Sequence, residues 1–148
     1  MVNKMREKYQ EPALVYIDEE YKNELDRLKE KYKDKPEHPI NRLEAKLLYM
    51  FAILLSLRNE YKPKKSKKKA WILRTEYLKQ DDRALIKSLV FTYSKDIQLL
   101  LPINYDKFYE LSEELANAGM VDLIDLLNNP ENIEETILIE SKKFKSSH

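Results

Sequence analysis

A single glycine, Gly119, serves the whole chain of 148 residues. Glycine is the residue that tolerates left-handed backbone and close approach of the main chain to a ligand. Dinucleotide and nucleotide phosphate loops need several glycines at fixed spacing, so neither loop can be built here. Scarce glycine combined with abundant Lys, Glu, Leu and Ile favours helices. The fold class that follows is mostly α, an α+β chain with a minor short-stranded sheet, as a compact helical domain around a central apolar helix. The length suits one domain spanning 1–148, with loose ends at about 1–11 and 143–148.

Apolar residues make up 43% of the chain and charged residues 36%, too apolar for a disordered segment and too charged for a membrane protein. The longest apolar run, Leu47 to Leu55, is half of what a membrane span needs. The first residues, MVNKMREKYQ, contain no stretch resembling a signal peptide. There is no cysteine, which excludes disulfides, thiolate metal sites and cysteine nucleophiles. These features lead to the expectation of a cytoplasmic protein that does not meet a membrane.

Along the chain, "ALVYI" between Pro12 and Asp18 predicts a short strand. Asp18 suits an N-cap, with Glu19 and Glu20 in the first turn. Tyr21, Leu25, Leu28 and Tyr32 then mark one stripe of a helix over 19–33. The prolines of "KDKPEHPIN" end it. Asn41 is positioned to cap a second helix running to Asn59, apolar on nearly every side, the kind of helix others wrap around. "WIL" predicts a strand, and "QDD" opens a helix over 83–93 with Leu85, Ile86, Leu89, Val90 and Tyr93 inward. "IQLLL" predicts a further strand closed by Pro102. Tyr105 to Ala118 is amphipathic, with Phe108, Leu111, Leu115 and Ala118 on one face and Gly119 placed as a left-handed C-cap. Met120 to Leu127 predicts a separate short helix, and Glu131 to Lys142 the last element.

The charge is unevenly distributed. Six lysines occupy the eight positions 62–69. Residues 58–79 hold nine cations against Glu60 and Glu76, a net of +7, whereas 106–140 hold ten acids against Lys107, a net of −9, and the whole chain is only +1. Lysines neutralise phosphates and release counterions, and aromatic faces stack on exposed bases. The residues that would contact a nucleic acid are Arg58, Lys62, Lys64, Lys65, Lys67, Lys68, Lys69, Trp71 and Arg74. The plainer alternative is a solvated loop between elements, with Trp71 in the core. A third is a homo-oligomer in which the basic loop of one copy meets the acidic half of another.

Chemistry-bearing patterns are few. Neither His38, in a proline loop, nor the terminal His148 stands in a ligand or base pattern, and zinc-motif spacing is lacking. Glu113 and Glu114 are neighbours on a helix, so their side chains diverge and predict solvated surface. Asp125 with Glu140-Ser141-Lys142 has the acid and acid-x-Lys order of Mg²⁺-dependent nucleases of the restriction-endonuclease type, a distant alternative. "ALVYI" followed by two helices also resembles ribbon-helix-helix repressors, although it offers the bases only Tyr16 as a polar side chain. No catalytic residue, metal site or cofactor is assigned.

"LEAKLLYMFAILLSLRNE", the basic loop with "WILRTEYL", and "FYELSEELANAGMVDLIDLL" together resemble small accessory proteins of DNA phosphorothioate-modification systems, the Dnd-type genome-defence clusters. The matching positions are Phe51, Ala52, Arg58 and Asn59, then Glu114, Ala116, Asn117 and Gly119. Leu115 stands where that family has tyrosine, and Ala118 replaces its first glycine. The resemblance covers about residues 43–127. It implies a non-catalytic accessory role on DNA or a DNA-bound complex and supplies no catalytic residues.

Overall fold

A computed structural model describes residues 10–129. The chain is mostly helical with a small two-stranded antiparallel sheet. The predicted element Glu131–Lys142, the tail 143–148 and the acid-x-Lys triplet Glu140–Lys142 lie outside the described residues. In order, the elements are β1 (Leu14–Asp18), α1 (Glu19–Lys31), a four-residue α2 (Pro39–Arg42), α3 (Ala45–Arg58), β2 (Lys69–Arg74), α4 (Gln80–Ser94) and α5 (Tyr105–Asn128).

β1 ends where α1 begins, and Asp18 makes the junction: its Oδ1 accepts the N–H of Glu20 at 3.0 Å, satisfying one of the orphan donors of the first turn. Tyr21, Leu25 and Leu28 form the buried stripe of α1, as their spacing predicts. Asn41 does not cap the central helix. Its Nδ2 donates to the carbonyls of Tyr32 and Lys35, so it ties the proline turn together, and α3 starts three residues later than expected behind Glu44. His38 caps α2 instead: Nδ1 accepts the N–H of Ile40 at 3.1 Å. Since that nitrogen accepts, Nε2 is the protonated one, and it donates to the carbonyl of Leu127 at 3.1 Å. The ring, 5% exposed, stacks on Tyr32 with centroids 3.8 Å apart.

α3 and α5 form the centre of the core, with Leu48, Tyr49, Ala52, Ile53, Leu115, Ala116 and Met120 all essentially buried. Gly119 is not a left-handed cap. Its φ is not positive, and α5 runs through it for 24 residues without a break. The glycine serves packing: a Cβ there would lie 1.8 Å from the carbonyl oxygen of Ala52. The missing side chain lets the backbones of α3 and α5 come into direct contact at this point. Tyr49 and Ser112 join their hydroxyls between the same helices, and burial raises the Tyr49 phenol well above its ordinary value.

β1 and β2 pair within the chain, in the register Leu14–Arg74, Val15–Leu73, Tyr16–Trp71, Ile17–Ala70 and Asp18–Lys69, with an irregularity between Val15 and Tyr16. This is not the intersubunit ribbon of ribbon-helix-helix repressors. The extra residue is Ile72, a bulge. It allows Ile72 and Leu73 both to face inward, 6% and 4% exposed, where strict alternation would expose one. "IQLLL" adds no strand: Ile97–Leu100 forms a 3₁₀ turn, capped by Asp96 Oδ1 accepting from the N–H of Gln98. In α4, Ile86 and Val90 are buried, but Leu85 and Tyr93, expected inward, are 48% and 43% exposed, because α4 meets the core along a narrow stripe. Glu11, expected in a loose end, is fixed. Arg83 forks onto both its carboxylate oxygens and also donates to the carbonyls of Thr75 and Leu78, while the Tyr109 hydroxyl donates to the same carboxylate.

Candidate nucleic-acid interface

The lysine segment follows α3 through Glu60, whose φ of 55° places it in the left-handed region and turns the chain sharply. Residues Tyr61 to Lys68 then run without helix or strand, yet Tyr61, Lys64, Lys67 and Lys68 are each held through main-chain atoms. Tyr61 N–H donates to Ser56, Lys64 N–H to the carbonyl of Glu114, and Glu19 N–H to the carbonyl of Lys68, at 2.8–2.9 Å. Lys67 N–H donates to Asp18 Oδ2 at 2.8 Å. At the start, Asn59 and the Tyr61 hydroxyl share Asp122 Oδ2, which raises the Tyr61 phenol.

Asn117 organises the middle. It is 1% exposed, on the inner face of α5. Its Oδ1 accepts the N–H of Asp18 at 2.8 Å, and its Nδ2 donates to the Lys64 carbonyl and to Ser66 Oγ, both at 2.9 Å. One buried amide therefore joins strand β1, helix α5 and the basic segment.

All six lysines of 62–69 are exposed, but they are not equivalent. Lys64 Nζ donates to the Tyr21 hydroxyl and lies 5.1 Å from that ring's centroid; the hydrogen bond raises its pKa. Lys68 Nζ is 3.4 Å from Glu19 and Lys69 Nζ 3.9 Å from Glu113. The ammonium groups of Lys62, Lys65 and Lys67 have no side-chain partner among the described residues. Arg58 closes α3 at the far end of the segment. Arg74, on β2, lies 3.6 Å from Glu76 and has its guanidinium 5.9 Å from the Trp71 ring centroid. Trp71 is 49% exposed, which corrects the expectation of a core tryptophan. The acidic half is not remote from the basic one either: α5 lies directly under the segment and supplies the carbonyl of Glu114 and the carboxylates of Glu113 and Asp122.

Glu113 was expected at the surface and is 8% exposed. Its Oε2 accepts the N–H of Tyr16 at 2.9 Å. Burial pushes its carboxyl up to about 7, against the pull of the Tyr16 hydrogen bond and of Lys69. Its burial was signalled by neither periodicity nor charge, because the partner backbone lies 97 positions away.

A concave feature away from the lysine segment, about 840 Å³ in volume, is lined by Leu43, Leu47, Phe51, Leu85, Leu89 and Leu126 among others, with Lys35, Glu37 and Arg42 as its charged lining. Among the described residues no group of His, Asp or Glu is arranged to hold a metal ion, and no helix is long and apolar enough to cross a membrane. Comparison with protein-family models, with curated proteins and with solved structures returned no match.

Proposed function

We propose that this chain is a non-catalytic, cytoplasmic accessory module that associates with DNA, or with a DNA-bound complex, through the segment from Arg58 to Arg74. The observation that carries the reading is the preorganisation of the lysine segment. Its trace is held by backbone and buried polar groups, and Lys62, Lys65 and Lys67 present charge to solvent without an ion pair to another described residue. A main chain already held in place spends little conformational entropy on presenting its lysines to a phosphate backbone. The resemblance to accessory proteins of phosphorothioate-modification clusters is in keeping with this and suggests a genome-defence setting.

The test is Lys62, Lys65 and Lys67 replaced together by Gln, with DNA affinity measured across a salt series. Each phosphate contact contributes about 0.9 to the slope of log K against log salt, so the triple variant should bind far more weakly at low salt and lose roughly 3 from that slope. Unchanged affinity would reject the segment as the contact.

Self-association is the second reading. It is favoured by the apolar groove, at which Leu47, Leu54 and Leu85 are 41%, 46% and 48% exposed, a patch that a second copy would cover. Light scattering without DNA decides it: a larger species that Leu54→Gln dissolves supports the oligomer, and a monomer at all salt concentrations removes it.

A further inference from the structure

The outward face of the sheet carries a feature that binding to duplex phosphates alone leaves unused. Tyr16 and Trp71 are register partners, so their side chains stand on the same face of adjacent strands, roughly 5 Å apart at the backbone. The bulge at Ile72 puts Ile72 and Leu73 into the core and leaves Trp71 and Arg74 outside. Trp71 is half exposed, Tyr16 partly so, and the Arg74 guanidinium sits against the indole at 5.9 Å. Lys69 opens β2 and Lys67 precedes it by two residues, both within four residues of Trp71. Half-exposed indole is apolar surface kept in water at a cost, and here it lies at the end of a row of cations.

We propose that this face is a stacking site for unpaired nucleobases, so that the chain takes single-stranded nucleic acid in preference to duplex. The proposal rests on the polyanion-binding reading above and narrows it. In a duplex the base faces are covered by neighbouring bases; only an unpaired strand can lay a base on a ring that projects from a sheet. The phosphates of the same strand would follow the cations from Lys67 back toward Lys62. This pairing of stacking ring with cationic track is how sequence-tolerant single-strand binding is built. Base faces are common to DNA and RNA, so the shared chemistry is an unpaired base on a phosphodiester chain.

Trp71 is the only tryptophan, so its emission reports this face directly. The full chain is titrated with oligothymidylate and oligouridylate of about 20 nucleotides, longer than the roughly 4 to 16 nucleotides one such site spans, with a duplex of equal length, and with inorganic polyphosphate. Saturable quenching by either single strand, and none by polyphosphate, is the result expected; which strand binds more tightly separates DNA from RNA. By anisotropy with labelled strands, Trp71→Leu should weaken single-strand binding about tenfold, and Trp71→Phe should restore most of it. Single strands bound no more tightly than duplex, or bound equally by Trp71→Leu, would overturn the stacking site. If duplex binding then still depends on Lys62, Lys65 and Lys67, the DNA reading stands without it. If none of the polyanions binds, both fall.

Discussion

Gly119 of α5 faces the backbone of Ala52 in α3 so closely that a methyl group has no room: its carbon would sit 1.8 Å from the carbonyl oxygen and 2.7 Å from the carbonyl carbon. In an exposed helix, Gly→Ala adds about 1 kcal/mol of stability. Here the obstacle is backbone rather than a movable side chain, so α3 and α5 must separate. Gly119→Ala should destabilise the chain by about 3 kcal/mol or more, in the range of severe overpacking, read as a lowered urea midpoint. A midpoint at or above wild type would show that the two helices are not in contact at this residue.

Asn117 uses its oxygen and its amide nitrogen on three partners, Asp18 at the end of β1 and Lys64 and Ser66 in the basic segment. Asn117→Leu removes these bonds and leaves the Asp18 N–H and the Lys64 carbonyl without them. Loss of about 2–4 kcal/mol is expected from partners orphaned in a buried site. Hydrogen exchange localises the effect: the amides of Lys64 and Lys67 should lose protection more than those of the α1 interior. Uniform loss across the chain would mean that Asn117 supports the core rather than the basic segment.

Glu113 should make stability depend on pH. Its carboxyl is raised in the fold to about 7 from 4.5, so the folded state keeps a proton that the unfolded chain releases between those values. The stabilising contribution is complete below about pH 4.5 and is lost as pH rises through 7. Facing it are Lys69, the Tyr16 N–H and, on its own helix, Glu110 and Glu114. Allowing for Lys69 and partial solvent access, the effect is on the order of 2 kcal/mol. Glu113→Gln keeps an acceptor for Tyr16 and removes the titration. Urea unfolding at pH 5 and pH 8 should show the two proteins converging at the lower pH and the variant more stable at the higher. Equal pH dependence in both would assign the effect to other groups.

Much of the fold could be read along the chain because its signals are local. The Asp18 cap, the 19–31 stripe and the strands around "LVYI" and "WIL" depend on residues within a few positions of one another. The misread elements are those settled by distant contacts. Gly119 carries the local signature of a helix stop, and only Ala52, 67 positions earlier, gives it a different reason. Asn41 looks like a cap because the carbonyls it holds lie upstream in the proline turn. The candidate interface divides in the same way. The lysines stand out by charge alone, whereas the groups that shape them do not: Asn117 meets Asp18 across 99 positions and Glu113 meets Tyr16 across 97. Which lysines stay unengaged depends on where Glu19, Tyr21 and Glu113 arrive in space.

The trace from Tyr61 to Lys68 owes its shape mainly to main-chain amides and carbonyls gripped by Ser56, Glu114, Asn117, Asp18 and Glu19. Side-chain identity at positions 62, 65 and 67 is therefore uncoupled from folding. Descendants of this chain are free to exchange, invert or dilute the charges there and retune what the track attracts, while the rail itself stays where it is.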